Sequence, residues 1–208
     1  MGSVGGDRSY PKGLAKREEI LATALEVIAE HGFGGATLRE LAEASNLSIT
    51  GLVHHFGTKE HLLVEVLRRR DEIDADAYDT DRLPDTAATM IERLAGLVDL
   101  NAAVPGLVTL YTNLAADAAA PAHPAHAYFR ERYDQGRSLG RDSLSHLKER
   151  GELPDGVDPD DLAHLLIAAV DGLQLLWQYD KSIDMTRGLK ALGTLLELAN
   201  KAAPSADT

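Results

Sequence analysis

The pattern in this chain that most resembles a metal site consists of three histidines: His123 and His126, with Pro124 between them, and the more distant His164. Proline disrupts helical geometry, so this spacing does not place His123 and His126 on one helical face. The sequence has no HExxH pattern, glycine-rich phosphate loop or nucleophile elbow, and it has no cysteine. We therefore expect neither an enzyme nor a bound cofactor or metal. A catalytic or metal-binding helical protein is the first alternative interpretation.

A second group of residues, between Ser48 and Lys59, has types suited to contacting DNA. Leu52 and Phe56 are four residues apart and should face the interior of a helix. The remaining positions then face outward, and they are Ile49, Thr50, Gly51, Val53, His54 and His55. Aliphatic groups contact thymine methyls, a hydroxyl donates or accepts, and glycine permits a close approach of the backbone. Core filling is the alternative role for Ile49 and Val53.

Local signals predict the helices that precede this group. Apolar residues recur at helical spacing from Ile20 to Ile28, and Gly32 follows where a glycine cap would sit. The segment Thr37–Glu40 has the form of a capping box, in which threonine and glutamate satisfy each other's backbone donors. It predicts a short helix from 38 to about 45.

The next signals predict a turn and two further helices. Asn46 tolerates a positive φ in a turn, and Ser48 is placed to cap a short helix from 49 to about 56. Thr58 is placed to cap a longer helix. One helix followed by two short helices with a turn between them is the helix-turn-helix arrangement. We call the segment 49–56 the recognition helix.

Charge divides the chain into two regions. Residues 1–70 carry 9 basic and 9 acidic side chains, whereas residues 71–208 carry 12 basic and 24 acidic ones, the whole net charge of −12. An acidic body repels phosphates, so we expect any nucleic-acid contact from the neutral N-terminal third. The periodicity of the body stays helical, and its prolines divide it into helices near 85–102, 105–118, 124–150, 158–179 and 185–202.

Several segments match one family pattern in its order and spacing: Ile20–Ala24, His31–Phe33, Thr37–Ala42, Leu47–Ser48 and His54–Leu62. In these segments the chain resembles the TetR family of bacterial transcriptional regulators. The resemblance implies an all-α fold of about nine helices. An N-terminal three-helix helix-turn-helix DNA-binding domain would be followed by a helical ligand-binding and dimerisation domain. The acidic helical body is typical of that second domain.

The departures from the family pattern lie in or just before the recognition helix. Asn46 stands where the family often has glycine, and the order Thr50-Gly51 replaces the common Gly-Thr. Val53 replaces a tyrosine that commonly binds phosphate, so one phosphate contact is absent from the expected set.

Phosphate contacts are expected at the helix starts beside the recognition helix. Free backbone amides there favour an anion, which assigns this role to Thr37, Thr58 and Lys59. Arg39 is expected at a phosphate or a guanine, with a solvated charge as the alternative, and the two histidines are expected to donate to phosphates. The full expected DNA-binding set is Thr37, Arg39, Ser48, Ile49, Thr50, Gly51, Val53, His54, His55, Thr58 and Lys59.

Four basic residues open the chain: Arg8, Lys12, Lys16 and Arg17. Basic N-terminal segments sometimes form arms that enter the minor groove. We expect these residues to be solvated charges instead.

The resemblance also implies a homodimer joined through the last two long helices, and an effector site in the body. The expected interface is the apolar ridge Leu162, Leu165, Leu166, Ala169, Leu173 and Leu176, although a helix buried within one protomer would carry the same pattern. An effector site is usually apolar with a few polar groups. Its expected residues are Tyr111, Asn113, His126, Phe129, Tyr133, His164, Gln174 and Trp177.

Four segments are expected: a flexible leader (1–13), a helix-turn-helix DNA-binding domain (14–60), a helical effector-binding and dimerisation domain (61–203) and a frayed tail (204–208). The opening residues lack the apolar core of a signal peptide, and no apolar run is long enough to cross a bilayer. We expect a cytoplasmic repressor that binds a palindromic double-stranded DNA operator as a homodimer and is released by a small-molecule effector. The second alternative is an adaptor of the same fold that binds a protein partner instead of DNA.

Overall fold

A computed structural model of the chain describes residues 9–77 and 83–202, and within these ranges it contains nine α-helices and no strand. The helices are α1 (Ser9–Gly35), α2 (Leu38–Ala44), α3 (Ile49–Phe56), α4 (Lys59–Ala77), α5 (Ala87–Ala102), α6 (Pro105–Asp117), α7 (His126–Glu149), α8 (Pro159–Tyr179) and α9 (Met185–Ala202). The predicted all-α fold is confirmed, and each body helix lies within two residues of its predicted bounds.

The chain divides into two compact units. Unit 1 comprises Met1–Glu72 and Pro105–Tyr111, and unit 2 comprises Ile73–Val104 and Thr112–Thr208. Helix α1 already includes residues 9–13 of the predicted leader, whereas residues 1–8 and the predicted tail at 204–208 lie outside the described residues. The predicted domain boundaries stay a prediction.

No single helix in the described ranges is long and apolar enough to span a membrane. Helices α5 and α6 reach that length and composition only when they are counted together across the break between them.

The core of unit 1 is built from the apolar faces of its first four helices. Ile20 and Ile28 of α1, Leu41 of α2, Leu52 of α3 and Leu62 of α4 are all fully buried. Helices as short as α2 and α3 are marginal on their own in water. Burial of these faces is therefore the main stabilisation that holds α2 and α3 in place.

Two glycines shape α1 and its contact with α6 inside unit 1. Gly32 has a φ of 70° where the sequence predicts a glycine cap, but α1 resumes beyond this kink and extends to Gly35. Gly106, in the first turn of α6, approaches the backbone of α1 so closely that a Cβ atom there would lie 1.9 Å from the carbonyl oxygen of Ile28. Only glycine fits this contact without a shift of the backbone.

The core of unit 2 joins α5, α7 and α8. Met90 and Ile91 of α5 share one buried cluster with Leu144 of α7 and with Leu162 and Leu166 of α8. This arrangement corrects the prediction that the last two residues form part of a dimer interface, because they fill the interior of a single protomer. The six predicted residues have helical spacing, but together they span more than one face of α8. Some of them therefore face the core of the protomer, and others face its surface.

Candidate nucleic-acid interface

A capping box fixes the start of α2. The backbone N–H of Glu40 donates to the Thr37 hydroxyl oxygen at 3.2 Å, and the backbone N–H of Thr37 donates to the Glu40 carboxylate at 2.9 Å. Both donors would otherwise lack a partner within the helix. The predicted capping box is thus confirmed, and it leaves Arg39 exposed in the first turn of α2.

The turn and the recognition helix also follow the predicted local chemistry. Asn46 has a φ of 54° in the turn between α2 and α3. The Ser48 hydroxyl oxygen accepts from the backbone N–H of Gly51 at 3.0 Å, so Ser48 caps α3. At the other end, Gly57 has a φ of 79° and donates its N–H to the carbonyl of Val53 at 2.7 Å. The two ends of this eight-residue helix are therefore defined by its own sequence.

Helix α3 has a buried side and an exposed side. Leu52 and Phe56 are 1% and 7% exposed, as their spacing predicts. Ile49 and Val53 are 44% and 37% exposed, which excludes the alternative that they fill the core of the described protomer. Thr50 and His54 are exposed beside them, and Gly51 and His55 are half-buried. The outer side is therefore an apolar strip flanked by hydroxyl and imidazole groups.

The expected phosphate-binding residues lie at the ends of helices around α3. Thr58 caps α4, because its hydroxyl oxygen accepts from the backbone N–H of His61 at 3.2 Å. Lys59 is the half-buried first residue of α4, and Thr37 is exposed at the start of α2. Backbone amides and the helix dipole at such positions favour an anion.

Arg17 is a residue of this region whose role the sequence did not indicate. Its guanidinium reaches from α1 to the last turn of α3 instead of projecting into solvent as a free charge. The contacts join residues far apart in sequence, so spacing along the chain gave no signal for them.

The predicted effector residues do not form one group. His126, Phe129, Tyr133, Gln174 and Trp177 lie in the interior or at the edge of unit 2. The other three separate from them: Tyr111 belongs to unit 1, whereas Asn113 and His164 are exposed.

Polar contacts in unit 2 follow the inward side of α8. The Tyr133 hydroxyl donates to the Asp171 carboxylate at 2.7 Å, and the Gln178 amide donates to the Thr112 hydroxyl. The buried amide of Gln174 lies between these positions along the helix. This polar half of α8 contrasts with its apolar first half in the core.

Trp177 continues the inward side of α8 with an aromatic ring. The Nζ atom of Lys181 lies 3.2 Å from the centroid of that ring. Desolvation at this position lowers the pKa of Lys181 below its ordinary value. A cation held on an aromatic face is attracted by the negative potential of the ring.

The predicted dimer residues on α8 divide between the core and the surface. Leu165 and Leu176 are 63% and 55% exposed, and Ala169 and Leu173 are half-buried. Four further apolar residues of α8 and α9, which sequence reasoning missed, are exposed: Leu175, Tyr179, Leu195 and Leu198. Their helical spacing along α8 and α9 was the available signal.

The three histidines of the metal-like pattern make local contacts. The Nδ1 atom of His123 accepts from the backbone N–H of Ala125 at 3.2 Å, and that of His126 lies 2.8 Å from the carbonyl oxygen of Ala118. His164 is exposed, 4.0 Å from an Asp160 carboxylate oxygen. Among residues 9–77 and 83–202, no three histidine, aspartate or glutamate side chains form a group that could hold a metal ion.

Two family models match the chain. Residues 20–66 match the model of bacterial regulatory proteins of the tetR family, and residues 90–199 match the BetI-type transcriptional repressor C-terminal model. The first match contains α2 and α3 entire, and the second covers more than half of the chain.

Individual relatives agree with these models. The chain is 37% identical over 81 residues to the HTH-type transcriptional repressor AcnR of Corynebacterium efficiens, which is 39% of this chain and 43% of that protein. It is 28% identical over 176 residues to the repressor KstR2 of Mycobacterium tuberculosis, covering 82% and 85% of the two chains. The match therefore spans less than half the length of AcnR.

Solved structures share the fold. FadR of Bacillus subtilis, a transcriptional regulator solved in complex with stearoyl-CoA, superposes with a TM-score of 0.67 at 18% identity, over 88% of this chain and 98% of that one. With the two family models, these findings show that the chain belongs to the tetR family of bacterial regulatory proteins.

Proposed function

We propose that the chain is a sequence-specific DNA-binding repressor that acts as a homodimer and is released from its operator by a small-molecule effector. The observation that carries the proposal is the outer side of α3, where Ile49, Val53, Thr50 and His54 are exposed on a helix capped at both ends. A helix of this width fits the major groove of B-form DNA.

The proposed division of roles follows position on the helices. Residues on the outer side of α3 contact base edges, and they are Ile49, Thr50, Gly51, Val53 and His54. Residues at helix ends and on α2 contact the phosphate backbone, and they are Thr37, Arg39, Ser48, His55, Thr58 and Lys59. Phosphate contacts fix the register of a protein on the duplex, whereas base contacts select the sequence.

The proposed dimer interface is the exposed apolar surface of α8 and α9. It keeps Leu165, Ala169, Leu173 and Leu176 from the original prediction and adds Leu175, Tyr179, Leu195 and Leu198, while Leu162 and Leu166 leave the set. Large exposed apolar side chains concentrated on two adjacent helices favour association with a second copy of the surface. A two-fold dimer would present two recognition helices to the two halves of a palindrome.

The proposed effector site is the polar inward side of α8 in unit 2, with Tyr133, Gln174 and Trp177 as its central residues and His126 and Phe129 at its edge. Asn113 and His164 leave the proposed set because they are exposed, and Tyr111 leaves it because it belongs to unit 1. The acyl-CoA bound by the relative FadR supports a small organic molecule as the effector class.

Helix α4 is the proposed connection between effector and operator. It begins with Lys59 beside the recognition helix, and its residues from Ile73 onward belong to unit 2. An effector that binds one orientation of α4 more tightly than another shifts the population toward that orientation. Displacement of Thr58 and Lys59 would then weaken the DNA contacts. We place this regulator in the cytoplasm, where the operator DNA lies.

The experiment that tests the proposal is selection of bound duplexes from a random DNA pool by the purified protein. We expect enrichment of an inverted repeat, with an affinity that falls linearly in a plot of log K against log salt concentration. A folded, effector-free protein that enriches no sequence would contradict the proposal and agree with the adaptor interpretation.

A further inference from the structure

Arg17 of α1 makes three contacts, two at the end of the recognition helix and one on α4. One guanidinium nitrogen donates to the backbone carbonyl oxygen of His55. The guanidinium carbon lies over the Phe56 ring, 4.4 Å from its centroid. A second nitrogen lies 3.4 Å from a carboxylate oxygen of Glu65 on α4. One side chain thereby joins α1, α3 and α4.

The contacts fall where α3 has least support of its own. The carbonyl groups in the last turn of a helix accept no hydrogen bond from within that helix, and a short helix frays at its ends. A cation at the C-terminal end of a helix is also favoured by the helix dipole. Arg17 therefore supplies both the missing donor and the favourable charge to the turn that contains His54 and His55.

The planar guanidinium suits this position better than another cation would. Its forked donors reach the His55 carbonyl and the Glu65 carboxylate together while its face lies on the Phe56 ring. Lysine has a single ammonium group and cannot reproduce the fork and the stacked face at once.

We infer that Arg17 is a positioning residue for DNA recognition: it holds the C-terminal turn of α3 in the orientation that base contacts require, with Glu65 fixing the guanidinium from α4. The inference rests on the proposed function, because it assigns Arg17 a part in sequence selection. In this role Arg17 does not itself contact the minor groove or a phosphate, because it acts on DNA recognition through the position of α3.

The test measures three properties of Arg17→Ala, Arg17→Lys and Glu65→Gln. They are the affinity for the selected duplex, the affinity for a scrambled duplex, and amide hydrogen exchange in α3. We expect Arg17→Ala to weaken binding to the selected duplex about tenfold while binding to the scrambled duplex and the salt slope stay unchanged. Exchange in α3 should rise, with Arg17→Lys and Glu65→Gln between the wild type and Arg17→Ala.

Arg69→Ala is the matched control. Arg69 of α4 pairs with Glu72 of the same helix at 3.0 Å and with Glu18 of α1 at 3.7 Å, so one of its ion pairs joins α1 and α4 as the Arg17–Glu65 pair does. We expect Arg69→Ala to leave both the ratio of the two affinities and the exchange in α3 unchanged.

Each remaining outcome has one meaning. Equal weakening on both duplexes with a smaller salt slope would overturn the inference in favour of a direct phosphate contact. Unchanged exchange in α3 would overturn it whatever the DNA results, and this readout holds even if Arg17→Ala folds poorly, because Arg17→Lys and Glu65→Gln are milder. If the wild type selects no duplex but exchange in α3 rises in Arg17→Ala, the proposed function fails while the positioning of α3 stands.

Discussion

At the scale of single residues, the outer side of α3 is the surface that we propose to read the operator sequence. The helix contains no arginine, lysine, asparagine or glutamine, the side chains that form paired hydrogen bonds with guanine or adenine. Exposed Ile49 and Val53 instead offer aliphatic surface, to which the 5-methyl group of thymine is complementary. We therefore expect thymine methyls to account for much of the discrimination.

Val53→Ala tests the methyl contact. Loss of one buried methyl-sized contact costs about 0.8 kcal/mol, so the variant should lose affinity by about fourfold for each half-site that it contacts. The check is a titration against duplexes with thymine or uracil at the contacted position, since uracil lacks only the methyl group. Uracil should weaken the wild type to a similar degree and leave Val53→Ala unchanged. Equal weakening of both proteins by uracil would show that Val53 does not contact that methyl.

Lys59 should act through phosphate rather than through a base. We expect Lys59→Ala to weaken binding by a similar factor on selected and scrambled duplexes, and to reduce the salt slope by about 1 for each bound protomer. Affinities measured at several salt concentrations give both quantities. Lys201→Ala, which removes an exposed cation from α9, is the control and should change neither. A loss confined to the selected duplex would contradict the phosphate role.

At the scale of elements, the contact between α6 and α1 in unit 1 leaves no space for a side chain. We expect Gly106→Ala to lower the free energy of unfolding by about 1–3 kcal/mol, because its Cβ atom would overlap the carbonyl oxygen of Ile28. Urea unfolding measures this change. Gly13→Ala is the matched control, since Gly13 is also helical and a Cβ atom there meets nothing within 4 Å. Similar stabilities of the two variants would contradict the close packing.

The helices and their caps could be predicted because their signals are local. Thr37, Ser48 and Thr58 each cap a helix through an atom three residues away, and Asn46 needs only its own backbone tolerance. The contacts of Arg17 with His55 and of Gly106 with Ile28 join distant parts of the chain, so no short pattern reveals them.

The division of the α8 ridge was unpredictable for a related reason. Helical periodicity shows which residues share a side, but not which neighbouring helix covers that side. Leu162 and Leu166 pack against α5 and α7, whereas Leu165 and Leu176 remain exposed. Similarly, the exposure of Asn113 and His164 depends on packing that composition does not encode.

At the scale of the whole molecule, the proposed function requires two copies of the chain on one operator. We expect Leu176→Glu to be monomeric at micromolar concentration, because a carboxylate would have to be buried without a partner in the apolar interface. Light scattering coupled to gel filtration measures the mass. Leu139→Glu is the matched control, since Leu139 is an exposed leucine of α7 outside the proposed interface. A dimeric Leu176→Glu would show that the interface lies elsewhere.

In the proposed two-fold dimer, each residue of the recognition helix would act twice on one operator. Thr50 is exposed on α3 and has a hydroxyl group, which can donate to or accept from a base edge. A change at Thr50 should therefore appear at symmetric positions of the two half-sites.

The most direct measurement is a parallel selection from one random DNA pool by the wild type and by Thr50→Ala. We expect an inverted repeat for both proteins, with base preference relaxed at one position in each half-site for the variant. An identical motif for the two proteins would show that α3 does not read DNA through this position. A motif without two-fold symmetry would contradict the homodimer on a palindromic operator.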